Sequence, residues 1–359
     1  MEGGKEKNIC FITLGNLYLC PYLSTYLGVS KHRTTIIYWN RENKDEIRND
    51  GNQYIAFTTS PKYTKGVLKI IGYLQFRKFV KQKLLANHFS GIVLLQTLAA
   101  LLLSNILIKY FSKKYIVDIR DYSYENLLFV RLLEKRVLKK SFRNIISSEG
   151  FRNFLPEGEY LIVHNTRNVG SLTRKVYGAT DGARMIHIAY IGYVRYIEQF
   201  KKLLHHLKND ERFLISFIGT KALELQDFCS ENNIKNVVLQ DTFDDKDILN
   251  LYKDVDLVNN LYGNHTPVLD YALSNKLYLA SELQKPILVC PDTYMETIVS
   301  QYGIGYIVDL DSSGNIGDAI YDYYKNIDWG LFSNKCNEFN CKVKEEQSMF
   351  IEEIDKFIN

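Results

Sequence analysis

No C-x-x-C pair occurs among the six cysteines, Cys10, Cys20, Cys229, Cys290, Cys336 and Cys341. Cys336 and Cys341 lack a second ligand pair, which argues against zinc and for reduced, packed thiols. No D-x-D element stands in a convincing loop, so no metal is required. No apolar run reaches the roughly twenty residues that a bilayer core demands. The longest, Ile92 to Ile108, is interrupted by Gln96, Thr97, Ser104 and Asn105 and reads as a strand followed by a buried helix. Ile9 to Leu14, behind the polar residues Met1 to Asn8, is too short for a signal-peptide core, and the expected location is the cytoplasm. Residues 51–100 hold no acidic side chain against seven basic ones.

What is present suits a large enzyme. The 359 residues, 46% hydrophobic and 24% charged, are enough for two domains with real cores. The 26 Tyr and 19 Phe predict aromatic core and cleft lining. Charge is uneven: residues 1–166 carry 25 Lys+Arg against 13 Asp+Glu, net +12, and residues 167–359 carry 20 against 28, net −8. A basic half of that size points to an anionic partner: a bilayer surface, a lipid-linked diphosphate or nucleic acid. The basic half has no recognisable nucleic-acid motif, so nucleic acid is not expected.

Strand and helix patterns alternate along both halves. Asn8 to Leu14, Thr35 to Trp39, Gly91 to Thr97, Lys113 to Asp121 and Asn144 to Ser148 read as strands of the first half. Lys62 to His88 reads as a basic amphipathic helix, apolar at Val67, Ile70, Ile71, Leu74, Phe76, Phe79, Val80 and Leu84, with a break near Gly72. In the second half the strands are Arg184 to Gly192, Phe213 to Gly219, Val237 to Leu239, Asp256 to Val258, Ile287 to Cys290 and Tyr306 to Val308. Leu155 to Ala183 lacks a period and reads as the linker. This predicts an α/β protein of two doubly wound, Rossmann-like parallel-sheet domains facing a cleft, with ligands beyond the carboxyl ends of the strands. The domains are expected at 1–166 and 167–338, with 339–359 a final helix returning to the first.

One segment stands out. Ser274 to Val289 opens with Asn275 as N-cap and Lys276 behind it, continues with helical spacing at Leu277, Leu279, Ala280 and Leu283, and stops at Lys285-Pro286. A helix N-terminus with a Lys in its first turn holds a phosphate or diphosphate.

In order and spacing these residues resemble glycosyltransferases of the GT-B fold, especially bacterial enzymes of capsule and surface polysaccharide synthesis. Lys114 to Tyr122 looks like the strand and Arg-Asp element late in the N-terminal domain, and Val163-His-Asn-Thr166 like the opening of the linker. Ile188 to Arg195 resembles the first strand and loop of the C-terminal domain. Asn236 to Phe243, followed by Asp247 to Tyr252, resembles the stretch beside the donor's base, and Ser274 to Val289 the donor helix. Many retaining members carry two Glu eight positions apart at this helix; the corresponding residues here are Tyr271 and Leu279.

The resemblance implies transfer of a sugar from a nucleotide donor, a UDP-sugar, to a lipid-linked or oligosaccharide acceptor, with the basic half on the inner face of the cell membrane. Donor-binding candidates are Gly192, Arg195, Phe243, Ser274, Asn275 and Lys276, with Lys276 on the diphosphate and Arg195 as a second, forked cation. Gly15 and Asn16 are expected at the acceptor side of the cleft, and Asp121 and Glu149 are the candidate catalytic carboxylates. One of Asp118, Arg120 and Asp121 is expected in a structural ion pair. A silent GT-B subunit that binds glycan or steadies a partner, and a nucleotide-sugar epimerase of related fold, stay open as alternatives.

Overall fold

The structure, a computed structural model, describes residues 7–122, 126–166 and 184–359. It divides into two compact units, Met1–His164 with Glu345–Asn359, and Asn165–Lys344.

The first unit is built on strands β1 (Ile9–Thr13), β2 (Thr35–Trp39), β3 (Gln53–Phe57), β4 (Gly91–Leu94), β5 (Tyr115–Ile119), β6 (Arg143–Ile146) and β7 (Leu161–Ile162). They form one parallel sheet in the order β3-β2-β1-β4-β5-β6-β7. Strands β1, β2, β4 and β5 are buried along their whole length. Unbroken apolar runs of this kind need cover on both sheet faces, and parallel crossovers supply it. The edge strands β3 and β7 have no such run. β3 is half exposed, and nothing in its sequence marked it as a strand.

Helix α1 spans Lys69–Ala86 and departs from the sequence reading in two ways. It runs through Gly72 without a break, because that glycine permits close approach: a Cβ there would stand 2.5 Å from both the Trp39 ring and the Tyr63 carbonyl oxygen. Its buried face is Gly72, Phe76, Val80 and Leu84, while Val67, Ile70, Ile71 and Leu74 are exposed. The apolar residues therefore divide between two faces and do not form one stripe. The Ile92–Ile108 run resolves into β4 and two short helices, α2 (Thr97–Leu102) and α3 (Ser104–Tyr110). Among the described residues no helix is long and apolar enough to cross a membrane. Helix α4 (Leu128–Lys140) leads from β5 to β6.

The expected ion pair is Arg120 with Asp118, at the end of β5. Arg120 Nε and Nη2 donate to the two Asp118 oxygens at 2.6 and 2.9 Å, and the Tyr26 hydroxyl donates to Oδ2 at 2.7 Å. Burial works against the Arg120 charge, but the adjacent carboxylate outweighs it and holds the guanidinium above its ordinary range.

The second unit repeats the plan with β8 (Ile186–Ile191), β9 (Phe213–Ile218), β10 (Val237–Gln240), β11 (Leu257–Asn260), β12 (Ile287–Val289) and β13 (Gly305–Ile307), all parallel, in the order β10-β9-β8-β11-β12-β13. Helix α5 (Ile197–His206) packs Phe200, Leu203 and Leu204 into this unit's core. Helix α6 (Asn275–Glu282) follows β11.

The linker is shorter than the aperiodic stretch Leu155 to Ala183 suggested. Leu155 is buried, β7 pairs with β6, and His164 lies 2.6 Å from Glu346. Residues 167–183, with Gly170, Gly178 and Gly182, lie outside the described residues. The last helix, α7 (Trp329–Ile358), places Phe332, Cys336 and Phe339 in the core of the second unit and Phe350, Ile354 and Ile358 in the core of the first.

Candidate functional site

A cavity of about 370 Å³ opens in the second unit beyond the ends of β8, β9 and β10. Ile191, Gly192, Tyr193, Thr220, Thr242, Phe243, Asn275 and Lys276 line it, and none of its lining residues is acidic. The position follows from topology: strand order reverses at β8, and the loops there diverge to leave a crevice. Helix α6 presents its N-terminus to this space. The cap is Ser274, whose Oγ accepts from Lys276 N at 3.2 Å, and not Asn275, which the sequence suggested. Ser274 has the extended backbone that a cap requires, and Asn275 is the first helical residue.

Lys276 is the electrostatic centre. Its Nζ donates to the Tyr262 hydroxyl at 3.0 Å and stands 4.1 Å from the centroid of the Tyr190 ring. Among the described residues it pairs with no carboxylate. A lysine ammonium has three donors, so π faces and one phenol leave capacity for an anion. Gly192 makes room for it: its φ is +138°, and a Cβ there would sit 3.2 Å from Lys276 Nζ. Burial drives the Tyr262 phenol up, but the charge of Lys276 and hydrogen bonds from Lys276 and Ser274 bring it below its ordinary value. Tyr190 is raised, first by burial and then by Tyr262. Tyr196 stacks on Tyr262 with centroids 4.5 Å apart and fixes the ring that receives the lysine.

The structure thus brings Gly192, Phe243, Asn275 and Lys276 to one cavity, with Ser274 as the cap beneath them. Arg195 is exposed, lies 5.2 Å from the Tyr193 ring and is not among the lining residues. Tyr190, Tyr196 and Tyr262 were missed in the sequence. Their one signal was position, at or just past a strand end. Leu279 is buried in the core and touches the cavity floor.

In the first unit a second cavity, about 210 Å³, lies beyond β1, β2, β4 and β5 and is lined by Gly15, Arg41, Gln96, Thr97, Arg120 and Asp121, among others. Asn16, expected beside Gly15, is buried. Its amide donates to Asn40 at 2.9 Å and Glu46 at 2.8 Å, and its oxygen accepts from Arg41 N. It staples two loops together. Glu149 pairs with Arg152 and lines neither cavity. Among the described residues no three His, Cys, Asp or Glu side chains gather as a metal-binding group.

Solved structures share this architecture along nearly the whole chain. Sucrose-phosphate synthase from Thermosynechococcus elongatus matches with a TM-score of 0.67 at 10% identity, over 99% of this chain and 95% of that one. HepE from Anabaena, solved with UDP and glucose, matches at 0.66 and 13% identity, over 98% and 100%. The lipopolysaccharide outer core galactosyltransferase WaaB matches at 0.66 and 12%, over 98% and 99%. The chain has the GT-B fold. In sequence, no protein-family model and no curated protein matches it. The GT-B likeness, at these identities, is one of architecture.

Proposed function

We propose that this GT-B protein transfers a sugar from a nucleotide donor, a UDP-sugar, to a lipid-linked or oligosaccharide acceptor in surface polysaccharide synthesis. The observation that carries the reading is Lys276: a cation without a carboxylate partner among the described residues, at a helix N-terminus, in a cavity lined by no acid. Breaking the bond between the anomeric carbon and the diphosphate oxygen sends the electron pair to the leaving diphosphate. A fixed ammonium and the α6 dipole stabilise that charge as it develops. In this reading Phe243, which lines the same cavity, meets the base. On the same reading Asp121, which lines the cavity of the first unit, accepts the proton of the acceptor hydroxyl. Among the structures with this architecture, WaaB is a galactosyltransferase by name and HepE was solved with UDP and glucose, which supports the nucleotide-sugar reading. Titration calorimetry with UDP, UDP-sugars and other nucleoside diphosphates tests it. Saturable UDP binding that persists in EDTA is expected; no binding of any nucleoside diphosphate removes the proposal. The absence of acid from the donor cavity also favours a second reading, a subunit that binds donor without transfer. Sugar release or transfer from a bound UDP-sugar separates the two.

Membrane attachment belongs to the same proposal. Val67, just ahead of α1, and Ile70 and Leu74 on it are exposed among Lys62, Lys65, Lys78 and Lys81, and helix α4 exposes Leu128, Phe129 and Leu132 among Arg131, Lys135, Arg136 and Lys139. Both helices cover the same sheet face. Trp39 stacks on Phe76 of α1 and the Tyr115 hydroxyl donates to Val137 of α4, and the lateral row Ile37–Ile12–Leu94–Val117 puts both rings on one side. Each cation near an anionic surface contributes about 1 kcal/mol, and the apolar side chains can enter the headgroup layer. The protein is expected to pellet with anionic vesicles at low salt and be released at high salt. Replacing Arg77, Lys78 and Lys81 by Ser is expected to reduce binding. A protein that stays in the supernatant at low salt has no such attachment.

A further inference from the structure

The cavity of the first unit holds an unanswered charge. Arg120 is taken by Asp118, but Arg41 makes no ion pair among the described residues. Its guanidinium lies 4.6 Å from the Trp39 centroid and 5.8 Å from that of Tyr73, and its Nε is buried with no hydrogen-bond partner. Asn16 and Asn40 fix the loop that carries it, since Arg41 N donates to Asn16 Oδ1 at 3.1 Å and Asn40 holds Lys44 N and O. An arginine clamped on two aromatic faces loses little freedom on binding and presents its fork ready-made. A second polar atom is also without a partner: Thr97 Oγ1 is buried, in a residue only 3% exposed that lines the same cavity. A buried hydroxyl and a buried Nε left unpaired are costly unless a ligand meets them.

We infer that this cavity binds an anionic oxygen group, a phosphate carried on the sugar acceptor, with Arg41 as its forked donor and Thr97 as a hydroxyl donor. The inference rests on the transferase reading only for the word acceptor. The anion site itself follows from Arg41 and Thr97. The cavity, about 210 Å³, has room for a phosphate with one sugar ring. The phosphate could belong to a lipid-linked sugar diphosphate or to a soluble sugar phosphate, and Arg41 would read both alike.

Calorimetric titrations of the full chain carrying Lys276→Ala, whose donor cavity has lost its cation, isolate this site. The probes are glucose 1-phosphate, a short-chain prenyl diphosphate glucose below its micellar concentration, and methyl glucoside. At least one phosphorylated probe is expected to bind, and methyl glucoside is not. Adding Arg41→Gln is expected to weaken the phosphorylated probe by tenfold or more, Thr97→Val by several-fold, while Arg41→Lys keeps part of the affinity. A tighter glucose 1-phosphate points to a soluble acceptor and a tighter prenyl compound to a lipid-linked one; either supports the site. Should Arg41→Gln unfold the protein, the Thr97→Val and Arg41→Lys titrations still decide. Equal binding by all variants, equal binding of methyl glucoside, or no binding of either phosphorylated probe overturns the inference. UDP binding to the wild-type chain is a separate measurement, so failure of the donor reading leaves this result legible.

Discussion

The Lys276→Ala protein is expected to bind UDP about ten- to a hundredfold more weakly than the wild type, a loss of about 1.5–3 kcal/mol from one charge-assisted contact. The effect should be large because nothing else in the cavity substitutes for the ammonium. No other Lys or Arg lines that space, and Arg195 is exposed outside it. Stability should change little, since among the described residues the side chain forms no ion pair and donates to a phenol. Calorimetry beside a thermal melt separates the two effects. A folded variant with unchanged UDP affinity would place the phosphates elsewhere and end the assignment.

Asp118→Ala is expected to cost the first unit about 3–5 kcal/mol, the price of breaking a buried ion pair from one side. The carboxylate is fully buried and accepts from Arg120 twice and from Tyr26 once. Removing it strips a buried guanidinium of its counter-charge. The Tyr26 phenol, now raised by burial first and by the Asp118 charge next, loses its acceptor as well. Urea unfolding should show the loss at neutral pH. The double variant Asp118→Ala, Arg120→Met should recover part of it, because it removes the stranded charge. A single variant as stable as wild type would mean that water reaches this pair.

The elements that could be read in the sequence are those whose local pattern and tertiary role agree. β1, β2, β5, β8, β9 and β12 are apolar runs because both of their faces are covered, and the parallel sheet follows. β3 and β7 were illegible for the opposite reason: β3 leaves Gln53 and Ala56 exposed and β7 is only two residues long, so neither forms an unbroken apolar run. Helix α1 misled because its exposed Ile70, Ile71 and Leu74 look like core in one dimension. In the site, Lys276 and Gly192 were visible, since a strand-ending glycine and a first-turn lysine have local signatures. The tyrosines that hold Lys276 come from β8, the following loop and the end of β11, and no local pattern joins them. Arg41 was silent for the same reason. Its meaning lies in Trp39, Tyr73 and Thr97, which only the fold assembles.

The chain has two tryptophans, Trp39 in the first unit and Trp329 in the second. The Trp39 ring is buried against Phe76 and carries the Arg41 guanidinium, while Trp329 packs edge-on against Tyr324 and Phe332. Each unit therefore has its own intrinsic fluorophore. Trp39→Phe and Trp329→Phe proteins would give single-colour emission from one unit at a time, so that unfolding of each can be followed without labels. An anion captured by Arg41 changes the field on the indole beneath it, and that emission reports the event directly, in a molecule whose other half stays spectrally quiet.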